Sequence, residues 1–203
     1  MTTIFKNKFY YLSVIICNLC LWSCTQNSNN TDKKSFKGTQ KIALEYQSIQ
    51  DSVSVSWQNM IKSDDQKISD IKRLLDEVSY TKKYNLFLHD SLLQMHKTLL
   101  LKRYTQRSMG ESKLIDVYDN ATDSIVKGVF RLVKTTPSIE QYPMAVNLME
   151  EIIAADNNVV LYRVKYDNWA KTYNVFVDRN KEKLTKINST PLVEKYPLFT
   201  LGN

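Results

Sequence analysis

Three cysteine thiols, two imidazoles and a few adjacent carboxylates are the side chains in this chain best suited to covalent, metal or acid–base chemistry. The thiols, Cys17, Cys20 and Cys24, all fall in or at the end of a short apolar N-terminal stretch, and none follows. A thiolate forms a stable thioether, so Cys24 is a candidate for lipid attachment. With Cys24 used in that way, the rest of the chain has no thiol for a disulfide, a nucleophile or a metal. His89 and His96 stand seven residues apart. On a helix they would share a face but sit about 10 Å apart along the axis, too far to share one ion, whereas metal pairs use i, i+4 spacing. Asp64-Asp65 and Glu150-Glu151 are adjacent, so a helix turns each pair about 100° apart, onto solvated faces rather than into a paired-carboxylate site. Glycine-rich phosphate loops, Gly-x-Ser-x-Gly and Cys-x-x-Cys do not occur. The expectation is a non-enzymatic protein with no catalytic residue, metal or cofactor.

The elements that position Cys24 come first in the chain. Lys6 and Lys8 precede an apolar run from Phe9 to Leu21. That run falls short of the ~20 residues that cross a bilayer as a helix, and a basic start, apolar middle and processing site is the layout of a secretory signal. Leu21-Trp22-Ser23-Cys24 resembles a bacterial lipobox, in which the cysteine is lipidated and becomes the new N-terminus. A signal peptide over 1–23 and an acylated (palmitate-bearing) Cys24 are therefore expected. Each buried methylene contributes about 0.8 kcal/mol, so two or three acyl chains hold stably where one does not. Thr25 to Thr31 is rich in Asn, Gln, Ser and Thr, and 24–38 reads as a flexible polar tether. The first acidic residue after Cys24 is Asp32. No retention signal adjoins the cysteine, which favours a lipid-anchored, extracytoplasmic place on the periplasmic face of an outer membrane.

The whole chain carries a formal net charge of +7, of which Lys6 and Lys8 supply two. The remaining Lys and Arg residues are interspersed with acids, the pattern of solvated helix faces rather than of a nucleic-acid partner. Four glycines and four prolines in 203 residues point to long helices.

Apolar periodicity places those helices. Ala145, Leu148, Ile152, Ala155, Val159, Tyr162, Tyr166, Trp169, Tyr173 and Phe176 follow at steps of three and four, one seam of a long helix. Met149, Ile153, Val160, Ala170 and Val177 widen it. Pro143 suits its first turn, and the cluster from Asn188 to Pro191 should end it. Ile42, Tyr46, Ile49, Val53, Trp57 and Met60 make a second helix whose stripe resumes at Ile68, Ile71, Leu75 and Val78. Between them, Ser63-Asp64-Asp65-Gln66 is either a capping box or an exposed turn of one nearly continuous helix. Leu86, Leu93 and Leu100, with Phe87, Leu92, Met95 and Leu99, make a third. Ile115, Tyr118, Thr122, Ile125, Val129 and Leu132 make a fourth. The fold class is all-α, an antiparallel bundle of four to five long helices over 39–188, membrane-tethered, with an extended tail over 189–203 packing back on it.

Two stretches carry a family resemblance. Glu45-Tyr46, Ser52-Val53 and Trp57 form the first. Glu140-Gln-Tyr142-Pro143, Leu148-Met149, Asn157-Asn158-Val159, Arg163-Val-Lys-Tyr166-Asp167-Asn168 and Tyr173-Asn174 form the second. In order and type these resemble the LemA family of membrane-anchored helical proteins. The resemblance implies a four-helix-type extracytoplasmic bundle and marks Tyr46, Trp57, Tyr142, Pro143, Arg163, Tyr166, Tyr173 and Asn174 as structural or interaction positions. Gln66 to Leu75 lacks the family's Ile-Pro-Asn-Leu stretch, and no Phe-Pro follows Tyr173-Asn174 closely.

The aromatic seam reads first as core packing, in which large rings fill a bundle while each hydroxyl reaches a partner at its edge. Alternatively it is a groove for a partner helix or an acyl chain. The functional expectation is an envelope lipoprotein acting as a structural or protein-interaction module with an envelope protein partner. The alternative is a lipid or hydrophobic-ligand binder.

Overall fold

The computed structural model describes residues 29–188 and 194–199, with side chains over 38–186 and 194–199. Residues 1–23, read above as a signal peptide, and Cys24, read as the lipidated residue, lie outside the described residues. Four helices account for nearly all of the rest: α1 (Asn29–Tyr80), α2 (Leu86–Leu99), α3 (Ser112–Thr135) and α4 (Pro143–Asn188), with short 3-10 turns at Leu100–Lys102, Ser108–Gly110 and Ile139–Gln141. Among the described residues there is no strand, and no helix is long and apolar enough to cross a membrane. The chain is all-α.

The length of α1 follows from its stripe. Ile49, Val53, Met60, Ile68, Ile71, Leu75 and Val78 are buried in the predicted order, and the helix runs without a break past Ser63-Asp64-Asp65. It also begins at Asn29, inside the segment read as a flexible tether. No proline interrupts this stretch, and once a helix is nucleated each further residue adds a hydrogen bond at little cost. At 52 residues α1 is about 78 Å long, and α4 with 46 is about 69 Å.

These two helices pair antiparallel along their length. Tyr46 meets Tyr173, Trp57 meets Tyr166, Lys67 meets Asp156 and the Tyr142 hydroxyl reaches the carbonyl of Tyr80. The shorter α2 and α3 cover only the end of this pair where α1 finishes and α4 begins. There α2 runs antiparallel to α1, and the ring nitrogens of His89 and His96 donate to the carbonyls of Leu75 and Ile68, each at 3.0 Å. The seven-residue spacing of the histidines thus matches the same spacing on the facing helix, a structural clamp. Asn85 caps α2, its side chain accepting from the Leu88 amide at 3.0 Å. Gly128 lets α3 approach α2 closely, since a Cβ there would lie 2.5 Å from a Leu92 methyl.

Four helices thus form a head, and α1 with α4 alone form a stalk. The core of the head includes Ile71, Leu74, Leu75, Val78, Ile125, Val129, Leu132, Leu148 and Ile152, all fully buried. Each such side chain contributes about 1.5–3 kcal/mol of burial. The expected α3 seam is buried throughout.

Two seams shift from expectation. In α2, Leu86, Phe87 and Leu100 are exposed, and His89, Leu92 and Leu99 face inward. In α4, Trp169 is 37% exposed and Ala170 is fully buried. The seam beyond Tyr166 runs through Ala170, Tyr173, Val177 and Leu184, while Ile153 and Val160 of the widened stripe face solvent. Where only one long partner is present, a narrow heptad line suffices, and the small Ala170 lets the stalk helices close while the indole stays outside. Asn180 interrupts α4 with non-helical dihedrals, and the cluster expected to end the helix, from Asn188 to Pro191, lies largely outside the described residues.

Candidate functional site

Where α2 and α3 begin to cover the α1–α4 pair, a polar network fills the space between helices. Asp64 and Lys67 occupy seam positions of α1 between Met60 and Ile68, so the helical register itself turns them inward. Lys67 is 3% exposed and donates to Asp156 on α4 at 3.1 Å, with Asp64 at 3.9 Å. Arg103, from the loop after α2, reaches Asp64 at 3.0 Å and Asp65 at 2.7 Å. The Tyr118 hydroxyl of α3 donates to Asp64 as well. One turn further along, Arg163 of α4 holds Asp119 of α3 through both carboxylate oxygens at 2.7 and 2.8 Å, and donates to the Tyr104 hydroxyl at 3.3 Å. Asp64 is therefore not the solvated carboxylate that its pairing with Asp65 suggests. Glu150 and Glu151 do lie on an exposed face.

A cavity of about 300 Å³ opens among these groups. Each charged residue lining it is already paired: Asp64 with Arg103, Lys67 with Asp156, Arg163 with Asp119, Asp123 with Lys127. Among the described residues no set of three or more His, Cys, Asp or Glu is placed to hold a metal ion. The bidentate Arg163–Asp119 pair fixes α4 against α3, and Arg103, bridging Asp64 and Asp65 through one nitrogen, joins the 100–111 loop to α1.

Beside the cavity lies the second half of the site, a groove on the stalk filled by the chain's own residues 194–199. Tyr196 packs edge-on against Tyr173 with ring centroids 4.6 Å apart. Asn174 accepts from the Tyr196 amide at 2.9 Å and donates to its carbonyl at 2.8 Å, serving that residue as a neighbouring strand would. The Tyr166 hydroxyl donates to the Pro197 carbonyl at 3.2 Å, and the Phe199 amide donates to Asp167 at 2.8 Å. The Phe199 ring stacks on Trp57 (6.4 Å, 16°) and meets the edges of Tyr104 and Tyr166 (5.8 and 5.7 Å). The Arg163 guanidinium stands 5.0 Å from its centroid. From Tyr196 to Phe199 three steps cover the seven-residue span from Asn174 back to Asp167, about 10 Å of helix and the reach of an extended chain. Of the expected tail, residues 194–199 are described, and these pack on the bundle.

Six of the eight positions singled out in the sequence converge here: Tyr46, Trp57, Arg163, Tyr166, Tyr173 and Asn174. Tyr46 supports Tyr173 through a hydroxyl–hydroxyl bond of 3.0 Å. Tyr142 and Pro143 stand at the opposite end of α4, where Pro143 opens the helix. Sequence reasoning read Asp64 as solvated, quoted Asp167 only within the resemblance, and did not single out Lys67, Arg103, Tyr104 or Asp119. For Asp64 and Lys67 a signal existed, since charges at seam positions of an apolar stripe must be buried.

Burial raises the phenol pKa of four tyrosines in this site. Tyr166 is pushed up to about 12, with nearby Asp167 and Tyr196 adding to the effect against the Gln106 hydrogen bond. Tyr118 rises further beside the Asp64 charge, Tyr173 rises through burial and its bond to Tyr46, and Tyr104 rises through burial against the pull of Arg163. A group whose folded pKa lies above its ordinary value of 10.0 contributes stability fully present below pH 10 and lost as the pH climbs through the folded value. The urea midpoint is therefore expected to fall between about pH 10 and pH 12, with a lagging class of tyrosines in a phenolate absorbance titration. Simultaneous titration of all tyrosines near their ordinary value, with no change in midpoint, would contradict this electrostatic picture. Compared with models of known families, with curated proteins and with solved structures, the chain matches none.

Proposed function

We propose that this protein is a LemA-like, lipid-anchored module of the cell envelope that works by binding another protein rather than by catalysis. The observation that carries the reading is the groove of Trp57, Tyr166, Tyr173 and Asn174. It holds an extended peptide by main-chain hydrogen bonds and aromatic pockets, the general means by which proteins take up extended segments. The paired charges of the adjoining cavity support this reading, because they leave helix-to-helix bracing as their evident task. In this reading Cys24 is lipidated and tethers the protein, extracytoplasmic, to an outer membrane facing the periplasm. From Asn29 to Asp64 the helix rises about 52 Å, so the head stands well away from the bilayer. Against the rival reading, uptake of lipid between the helices, stand Phe199 in the aromatic pocket and the charged side chains that share the lining of the adjoining cavity with apolar ones, which an acyl chain would leave desolvated.

The test is cross-linked co-purification from native membranes, run beside Cys24→Ala. A stoichiometric protein partner is expected with the anchored form. Its loss from Cys24→Ala would make binding depend on the membrane surface, and its retention would place recognition in the bundle. Absence of a partner from both forms, together with a stoichiometric lipid in an organic extract, would replace this reading with the lipid-binding one.

A further inference from the structure

Resting on the interaction reading, we infer that the α1–α4 groove recognises an extended partner segment of the form aromatic-proline-aliphatic-phenylalanine, and that Tyr196-Pro197-Leu198-Phe199 is its resident occupant. The groove reads two kinds of feature. Asn174 takes both main-chain groups of the first residue, and Asp167 takes the amide of the fourth. None of these three bonds depends on the occupant's side chains. Between them the groove asks only for a carbonyl, which Tyr166 satisfies, so proline fits where no N–H is needed. Side chains are read at the ends. The first ring meets Tyr173, and the fourth enters a pocket of Trp57, Tyr104, Tyr166 and the Arg163 guanidinium.

The occupant is suited to exchange. Tyr196 to Phe199 are only half-buried, and the flanking pairs Arg107–Glu194 and Lys195–Asp178 are solvent-exposed contacts of the kind that contribute little. Withdrawing these residues would leave the helix–helix contacts of the head untouched. As part of the same chain they compete at an effective concentration on the order of millimolar, so an outside segment binds only where the tail is weakened or outmatched.

The test uses the full-length chain in detergent micelles and a labelled peptide of sequence Glu-Lys-Tyr-Pro-Leu-Phe. Fluorescence anisotropy should show weak binding to the wild-type chain and at least about tenfold tighter binding to the Tyr196→Ala/Phe199→Ala double variant, whose own tail no longer fills the pockets. Adding Asn174→Ala to the double variant should reverse that gain, and a peptide ending in Ala should bind neither form. Equal affinity for wild type and double variant, or equal binding of the control peptide, would overturn the assignment.

A second measurement avoids variants altogether. In the wild-type chain, hydrogen exchange at the Tyr196 and Phe199 amides should accelerate as millimolar peptide displaces the tail, and unchanged exchange would overturn the inference. A partner recovered by cross-linking that shows no competition with the peptide would leave the interaction reading intact and remove only this ligand class.

Discussion

Asp64→Ala is expected to lower stability by about 2–3 kcal/mol, measured as a shift in urea denaturation followed by circular dichroism. Asp64 is the hub of the network in the head. It pairs with Arg103 at 3.0 Å, accepts from Tyr118, and lies 3.9 Å from Lys67. Its side chain is 14% exposed, Arg103 is 16% exposed and Lys67 3%, so water cannot readily replace the lost carboxylate. Arg103 keeps the more exposed Asp65 at 2.7 Å and Lys67 keeps Asp156 at 3.1 Å, so the loss is that of the buried carboxylate facing both cations and of the acceptor for the Tyr118 hydroxyl. Lys67→Met supplies the contrast. Methionine nearly fills the lysine's volume, Asp64 keeps Arg103, and the side chain of Asp156 is already 42% exposed. Its expected effect is below about 1.5 kcal/mol, of either sign. A loss under about 1 kcal/mol for Asp64→Ala would mean that the network is solvated, and would dissolve the account of how the loop, α1 and α3 are held together.

Tyr166→Ala should be at least as severe, about 3–5 kcal/mol, and should also release the tail. The ring is fully buried, stands 5.5 Å from Trp57 and 5.7 Å from Phe199, and lies on the line where head meets stalk. Deleting it opens a cavity that α1 cannot collapse to fill without giving up its register against α4. Tyr166→Phe keeps the ring and loses only the hydroxyl bonds to Pro197 and Gln106, a change of about 1 kcal/mol. The two variants therefore separate packing from tail anchoring. Hydrogen exchange at the Phe199 amide should rise in both, while the denaturation midpoint should fall steeply only for alanine. Similar midpoints for the two would show that the ring is not part of the core. Because Tyr104 touches both the Asp64 network and the Phe199 pocket, combining Asp64→Ala with Tyr166→Ala is expected to be non-additive.

Such a molecule would present its docking groove partway along a rigid stalk. From Asn29 to Trp57 α1 rises about 42 Å, a distance fixed by helix geometry rather than by a coil. A helical spacer of this kind would hold a bound segment at a defined height above the anchored end, which a Ser- and Asn-rich tether would not do. The beginning of α1 at Asn29 thus bears on how the groove would meet a partner.

By itself the sequence determined the helices. Apolar residues at steps of three and four are a local property, and in α1 and α3 the stripes named most of the buried apolar residues from Ile49 to Val78 and from Ile115 to Leu132, missing Leu74 and Val126. Pro143 marked the start of α4. The tertiary structure decided what those helices do for one another. Which of Trp169 and Ala170 lies on the seam depends on the separation of the stalk helices, not on the period of one of them. Whether Asp64 is solvated depends on Arg103 and Tyr118, which arrive from elements 39 and 54 residues away and only after three helices have packed. The tail's place is more remote still, because a non-periodic segment carries no register of its own. Its position is set by the side chains of Asn174, Asp167 and Trp57, which become a groove only when α1 lies against α4.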